Sequence, residues 1–208
     1  MPVKFPEILK VNASLVVALL ELSTSGLQTK LAIGQLAQEG NNLPAIPASL
    51  QVPNDQKLLL KVSAKGSQIY VCQAKSSETA NSAQYEWALK APDAVLLNQQ
   101  GQYFGKHYAG PTWEAQDGST VVAKVKSKVN SPETNAIPWL LLETRSQSQA
   151  GVFSQVNWIQ RVNTVGGKAP VQTCDVTAQN SKVRVDYTAD YFFYGTPKVE
   201  QTKLTDTL

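Results

Sequence analysis

The clearest pattern along the chain is an alternation of apolar and polar side chains with period two, the signature of half-buried strands. It is cleanest at residues 183–191, where Val183, Val185, Tyr187, Ala189 and Tyr191 alternate with Arg184, Asp186, Thr188 and Asp190. This predicts a closing strand. Val121, Ala123, Val125 and Val129 fall on one face of another strand, and Lys124, Lys126 and Lys128 on the other. Asp117-Gly118 precedes it, and a glycine that takes positive φ without a Cβ clash predicts a hairpin with the run around Trp113. Nearer the start, Leu58, Leu60 and Val62 alternate with Leu59, Lys61 and Ser63. Gly66-Ser67 is then read as a turn into a second short strand, QIYVCQA.

Residues 85–89 predict another short strand, and residues 92–97 a following segment before the Gly101 turn. Residues 137–144 carry apolar side chains on both faces, Leu140 and Leu142 on one and Trp139 and Leu141 on the other. That predicts a central strand with little water contact. Residues 152–162 fit a helix through Val152, Val156 and Ile159, and a strand through Val156, Trp158 and Val162; the β-rich neighbours favour the strand. Residues 76–83 and 130–135 read as polar loops, and residues 41–53 as an extended connector whose prolines bar a regular ladder. The fold class is therefore all-β, an antiparallel β-sandwich or partly closed barrel with long loops. Its inward set is Leu58, Leu60, Ile69, Val121, Val125, Leu140, Leu142, Val185 and Tyr187. The chain divides into a leader or peripheral segment (1–42), a single β-domain (43–194) and a polar tail (195–208).

Composition fits this picture. With 208 residues, 42% hydrophobic and 17% charged, one well-buried domain is the default, and neither disorder nor a polytopic membrane protein fits. A net charge of +3 with three arginines is too mild for a nucleic-acid binder, and the Lys124/Lys126/Lys128 row reads as a solvated strand face. The apolar run at residues 14–20 is far short of the roughly 20 residues a spanning helix needs.

One stretch departs from the alternation. Residues 103–113 hold Tyr103, Phe104, Tyr108, Trp113 and the only histidine, His107, among glycines and without visible period. Irregular segments between rigid strands are where binding groups gather. Tyr108 and Trp113 would offer flat faces to a glycan or a small molecule, with His107 and Glu114 as hydrogen-bonding edges. Glu114 and Asp117 could alternatively act as the acid and base of a glycosidase-like hydrolase, provided a neighbouring ring raised the pKa of Glu114. The bland readings are that the rings plug the end of the fold, that Glu114 lies on a wet face and that Asp117 caps its turn. A single histidine without a nucleophile elbow argues against a catalytic triad. His107 with Cys72 and Cys174 lacks the spacing of a zinc site, and Gly166-Gly167 lacks both dinucleotide and P-loop motifs, so no metal and no cofactor is expected.

The ordered blocks QIYVC, GKHYAGPTWE, DGS, IPWLLLE, VNWIQRVNTVGGKAP, CDV and DYTADYFFY resemble the bacterial and fungal family known as domain of unknown function 3455, over about residues 43–194. The resemblance brings no activity, cofactor or catalytic residue. Many members look exported, which implies a secreted, periplasmic or cell-surface protein; a cytoplasmic location stays open. Residues 14–20, preceded by Lys4 and Lys10, then fit the apolar core of a secretory signal, although Glu7 and Glu21 count against it and a peripheral helix or strand fits equally. The even cysteine count, the strand-edge positions and the exported look together suggest a Cys72–Cys174 disulfide, with two separate buried thiols as the alternative. Two functions follow: an exported binding or surface-structural module, or a hydrolase using the same loop.

Overall fold

The computed structural model describes residues 44–75 and 84–196. The leader, the polar insertion at 76–83 and nearly all of the polar tail lie outside the described residues.

Eight strands run in chain order: β1 (Lys57–Ala74), β2 (Tyr85–Leu97), β3 (Tyr103–Tyr108), β4 (Thr112–Ala115), β5 (Thr120–Val129), β6 (Trp139–Gln147), β7 (Val156–Gly166) and β8 (Lys182–Gly195). Each pairs antiparallel with the next, and β8 returns to pair with β1 from Lys57↔Gly195 to Val71↔Lys182. The sheet is thus a closed ring rather than a sandwich, which leaves no unpaired edge. The ring is irregular, because register shifts interrupt five of its eight ladders.

These shifts decide which side chains point in. Val121, Leu140, Leu142 and Tyr187 join the interior core, as their alternation predicts. Val125 does not: it sits at the Val125/Ser127 shift of the β5–β6 ladder and is 49% exposed, although its register partner is the inward Leu142, and beyond the shift Val129 packs on the outer cluster. Leu58 and Leu60, expected on one side, part company at the Leu58/Leu60 shift. Leu60 packs on the interior and Leu58 on the outer face. In the middle of β1 the buried residues are Ser67, Gln68, Tyr70 and Cys72, while Ile69 is only half-buried.

The turn expected at Gly66-Ser67 is absent, and β1 runs through it as one strand of 18 residues. A Cβ on Gly66 would lie 2.2 Å from the Asp93 carbonyl oxygen and 2.4 Å from Ala94 Cα. The glycine therefore serves a close approach of two backbones rather than a reversal. Residues 103–115 are likewise regular, forming the β3–β4 hairpin with Gly105, His107, Trp113 and Ala115 inward.

The interior core is aromatic around Trp113, Phe153, Tyr191 and Phe193; each such fully buried side chain contributes about 1.5–3 kcal/mol. A second apolar cluster lies on the outer face, where Trp139, Leu141, Val162, Phe192 and Tyr194 surround Leu50. The proline-rich connector supplies its cover. Its single 3-10 turn, Ala48–Leu50, places Leu50 at 0% exposure, with Ile46 and Val52 beside it. Gln160 fastens it: its Nε2 donates to the Leu50 carbonyl at 2.7 Å, while its Oε1 accepts from the Tyr194 hydroxyl at 2.9 Å. Residues 137–144 are thus buried on both faces because the ring has an inner core and an outer strap.

Cys72 on β1 and Cys174 in the β7–β8 connection form a disulfide, with Cα atoms 5.9 Å apart. Trp87 Nε1 donates to the Gln172 carbonyl at 2.9 Å, holding the same connection against β2.

Candidate functional site

Strand alternation splits the five candidate residues. His107 and Trp113 face each other across β3–β4 on the inner side and are 3% and 1% exposed. Their rings stack at 4.3 Å with 12° between planes, and Tyr191 meets both edge-on. His107 Nδ1 lies 2.9 Å from the Thr112 carbonyl, which accepts only from a protonated nitrogen and so places the ring proton there. Burial, reinforced by the charge of Arg161 and opposed by the Thr112 bond, brings the imidazole pKa down to about 3. The ring is neutral throughout the physiological range.

Tyr108 and Glu114 point the other way, with Lys106. The Tyr108 hydroxyl donates to Glu114 Oε2 at 2.9 Å, and Lys106 Nζ stands 3.2 Å from Oε1 and 5.6 Å from the Tyr108 ring centre. Tyr108 first and Lys106 second hold the Glu114 carboxyl below its ordinary range. Asp117 is a clasp. Its Oδ1 accepts from the Ser119 hydroxyl at 2.6 Å and the Ser119 N–H at 2.9 Å, and its Oδ2 accepts from the Val152 N–H at 2.8 Å. Led by the Ser119 hydroxyl, these bonds lower its pKa too, and they pin the loop that delivers Phe153 to the core.

Another constellation occupies the interior beyond His107. Eight buried side-chain polar atoms among the described residues have no hydrogen-bond partner in the protein, and five of them belong to Gln68, Trp113, Tyr187 and Tyr191. All four side chains are at most 2% exposed. Gly167 joins two of them: a Cβ there would lie 2.8 Å from Tyr187 Cβ and 3.3 Å from Gln68 Cγ. Its carbonyl accepts from Tyr70 at 2.6 Å. The Tyr187 and Tyr191 hydroxyls lie close enough to interact with each other, and Arg161 with Tyr191, although burial is the main cause that raises both.

Arg161 completes the group. It is the register partner of Tyr191 on β7, half-buried, and donates through Nε and Nη2 to the Pro138 carbonyl at 3.2 and 2.8 Å. Its charge reaches His107, Tyr70, Tyr187 and Tyr191. Among the described residues it makes no ion pair with a carboxylate.

A groove of about 300 Å³ lies on the outer face of the same stretch of wall, lined by Lys65, Gly66, Val165, Gly166 and residues 186–188. Gly66 and Gly166 are the register partners of Tyr187 on either side, so neither neighbouring strand screens it with a side chain.

Residues 53–195 match the family described as "Protein of unknown function (DUF3455)". The chain belongs to that family. No curated protein and no solved structure matches it. The match begins at the last residue of the connector and ends with β8, so this DUF3455 domain includes every strand of the ring.

Sequence reasoning passed over Gln68, Arg161, Tyr187 and Tyr191 as site residues. The usable signal was a polar or charged residue at an inward strand position, as Gln68 is within QIYVC's own strand and Arg161 is two places after Ile159. Among the described residues no three His, Cys, Asp or Glu side chains converge in a way that could hold a metal ion.

Proposed function

We propose that this domain is an exported binding module whose small ligand is held inside the barrel, among Gln68, Trp113, Tyr187, Tyr191 and Arg161. One observation carries the reading: five polar atoms of four almost fully buried side chains make no well-formed hydrogen bond within the protein. Each such atom costs about 1–3 kcal/mol when left unsatisfied, so their concentration in one place calls for a complementary polar group. The disulfide supports export, since such bonds persist in oxidising compartments.

The interior is favoured over a glycan platform on the β3–β4 hairpin, because Trp113 is sealed in the core and Glu114 is engaged by Tyr108 and Lys106. The hydrolase reading loses support for a related reason. A glycosidase needs one carboxyl kept protonated, and both Glu114 and Asp117 are shifted toward ionisation.

A thermal-shift screen of the purified protein against small polar metabolites tests the proposal, with Gln68→Leu as control. A compound that raises the melting temperature of the wild type and not of the variant supports it. No such compound, together with a Gln68→Leu protein more stable than wild type, would mean that the polar atoms are tolerated defects.

A further inference from the structure

The unpartnered atoms are not chemically neutral in their balance. Tyr187, Tyr191, Gln68 Nε2 and Trp113 Nε1 supply donors against the one amide oxygen, Gln68 Oε1, and the cation reaching them is the guanidinium of Arg161. A half-buried arginine ordinarily sits against a carboxylate or phosphate, whose two oxygens match its planar fork. Here the acceptors it reaches are neutral, the Pro138 carbonyl and the Tyr191 hydroxyl. The one carboxylate that acts on Tyr187, Asp93, does so weakly and is bound on the exterior to Arg184 at 2.7 Å.

Resting on the interior-binding reading above, we infer that the ligand is a small monocarboxylate whose oxygens accept from the Tyr187 and Tyr191 hydroxyls and the Gln68 amide and face the Arg161 guanidinium. One cation matches one negative charge, which favours a monoanion over a phosphate dianion. The rest of the ligand would meet the rings of Trp113 and Tyr191, an apolar surface suited to an aliphatic or aromatic body.

The test titrates the full chain with acetate, propionate and benzoate, and with acetamide, propionamide and benzamide, at pH 7 by calorimetry and thermal shift. The inference expects at least one carboxylate to bind about tenfold or more tightly than its amide, as a charge-assisted hydrogen bond to arginine would give. It also expects a Tyr187→Phe/Tyr191→Phe variant, which keeps both rings, to lose about tenfold in affinity for that carboxylate. Should that variant fail to fold, the carboxylate and amide comparison on the wild type decides. Equal binding of acids and amides would overturn the anion assignment and leave the binding reading standing. Binding of neither class, with the phenylalanine variant as stable as wild type or more so, would overturn both.

Discussion

Replacing His107 with phenylalanine should change how stability depends on pH, and the size of the change follows from the burial of the ring. An unperturbed imidazole titrates near 6.5, whereas His107 in the fold does so at about 3. Between those values the unfolded chain binds a proton that the folded chain refuses, so stability contributed by the neutral ring is complete above pH 6.5 and is lost as the pH falls toward 3. At pH 5 the unfolded ring is about 1.5 pH units below its pKa, and one unit corresponds to about 1.4 kcal/mol. The wild type should therefore lose roughly 2 kcal/mol through this group between pH 7 and pH 5. Phenylalanine keeps a ring against Trp113 but cannot donate to Thr112, which costs about 1–3 kcal/mol at pH 7. The advantage of the wild type should accordingly shrink by roughly 2 kcal/mol at pH 5. Urea denaturation of both proteins at the two pH values, followed by tryptophan fluorescence, isolates His107 because other titrating groups cancel in the double difference. Parallel losses, within about 0.5 kcal/mol, would refute a buried neutral imidazole.

Three other outcomes are expected. Cys72→Ala/Cys174→Ala opens a loop of 102 residues, which should lower stability by up to about 4.7 kcal/mol and the melting temperature by roughly 10–20 °C in calorimetry; a shift of a few degrees would count against the loop-entropy account. Gly66→Ala forces a Cβ into backbone atoms of Asp93 and Ala94 and should cost about 1–3 kcal/mol in denaturant unfolding, whereas an unchanged midpoint would show that the two strands can separate freely. Glu114→Gln removes an exposed pair with Lys106 and should leave the melting temperature within about 2 °C; a larger fall would make the outer face of the hairpin a structural element.

Strand order and much of the inner face were legible because β5, β6 and β8 alternate in sequence as they do in space. The concealed parts share a physical cause. The inward positions of β3 are Gly105 and His107, neither of which registers as apolar, so a regular hairpin looked like an irregular loop. Gly66 looked like a turn because glycine serves close approach and reversal equally well. Val125 and Val129 were placed on one inward face because the bulge that follows Val125 leaves no mark in composition, yet turns Val129 to the outer cluster. The interior polar group was hidden for the opposite reason. Gln68 and Arg161 occupy inward register positions, where sequence pattern leads one to expect hydrocarbon, and only the closed ring brings them near Tyr187 and Tyr191.

The strap over the outer face bears on where this domain can be cut. The family match begins at residue 53, downstream of Ile46, Leu50 and Val52, and a fragment started there would keep all eight strands. It would also uncover Trp139, Leu141, Phe192 and Tyr194 and deprive the Gln160 amide of its acceptor. Contiguous apolar surface of that kind drives self-association. A boundary drawn from shared sequence would thus yield a sticky protein, whereas one drawn before the first residue of the strap keeps that face covered.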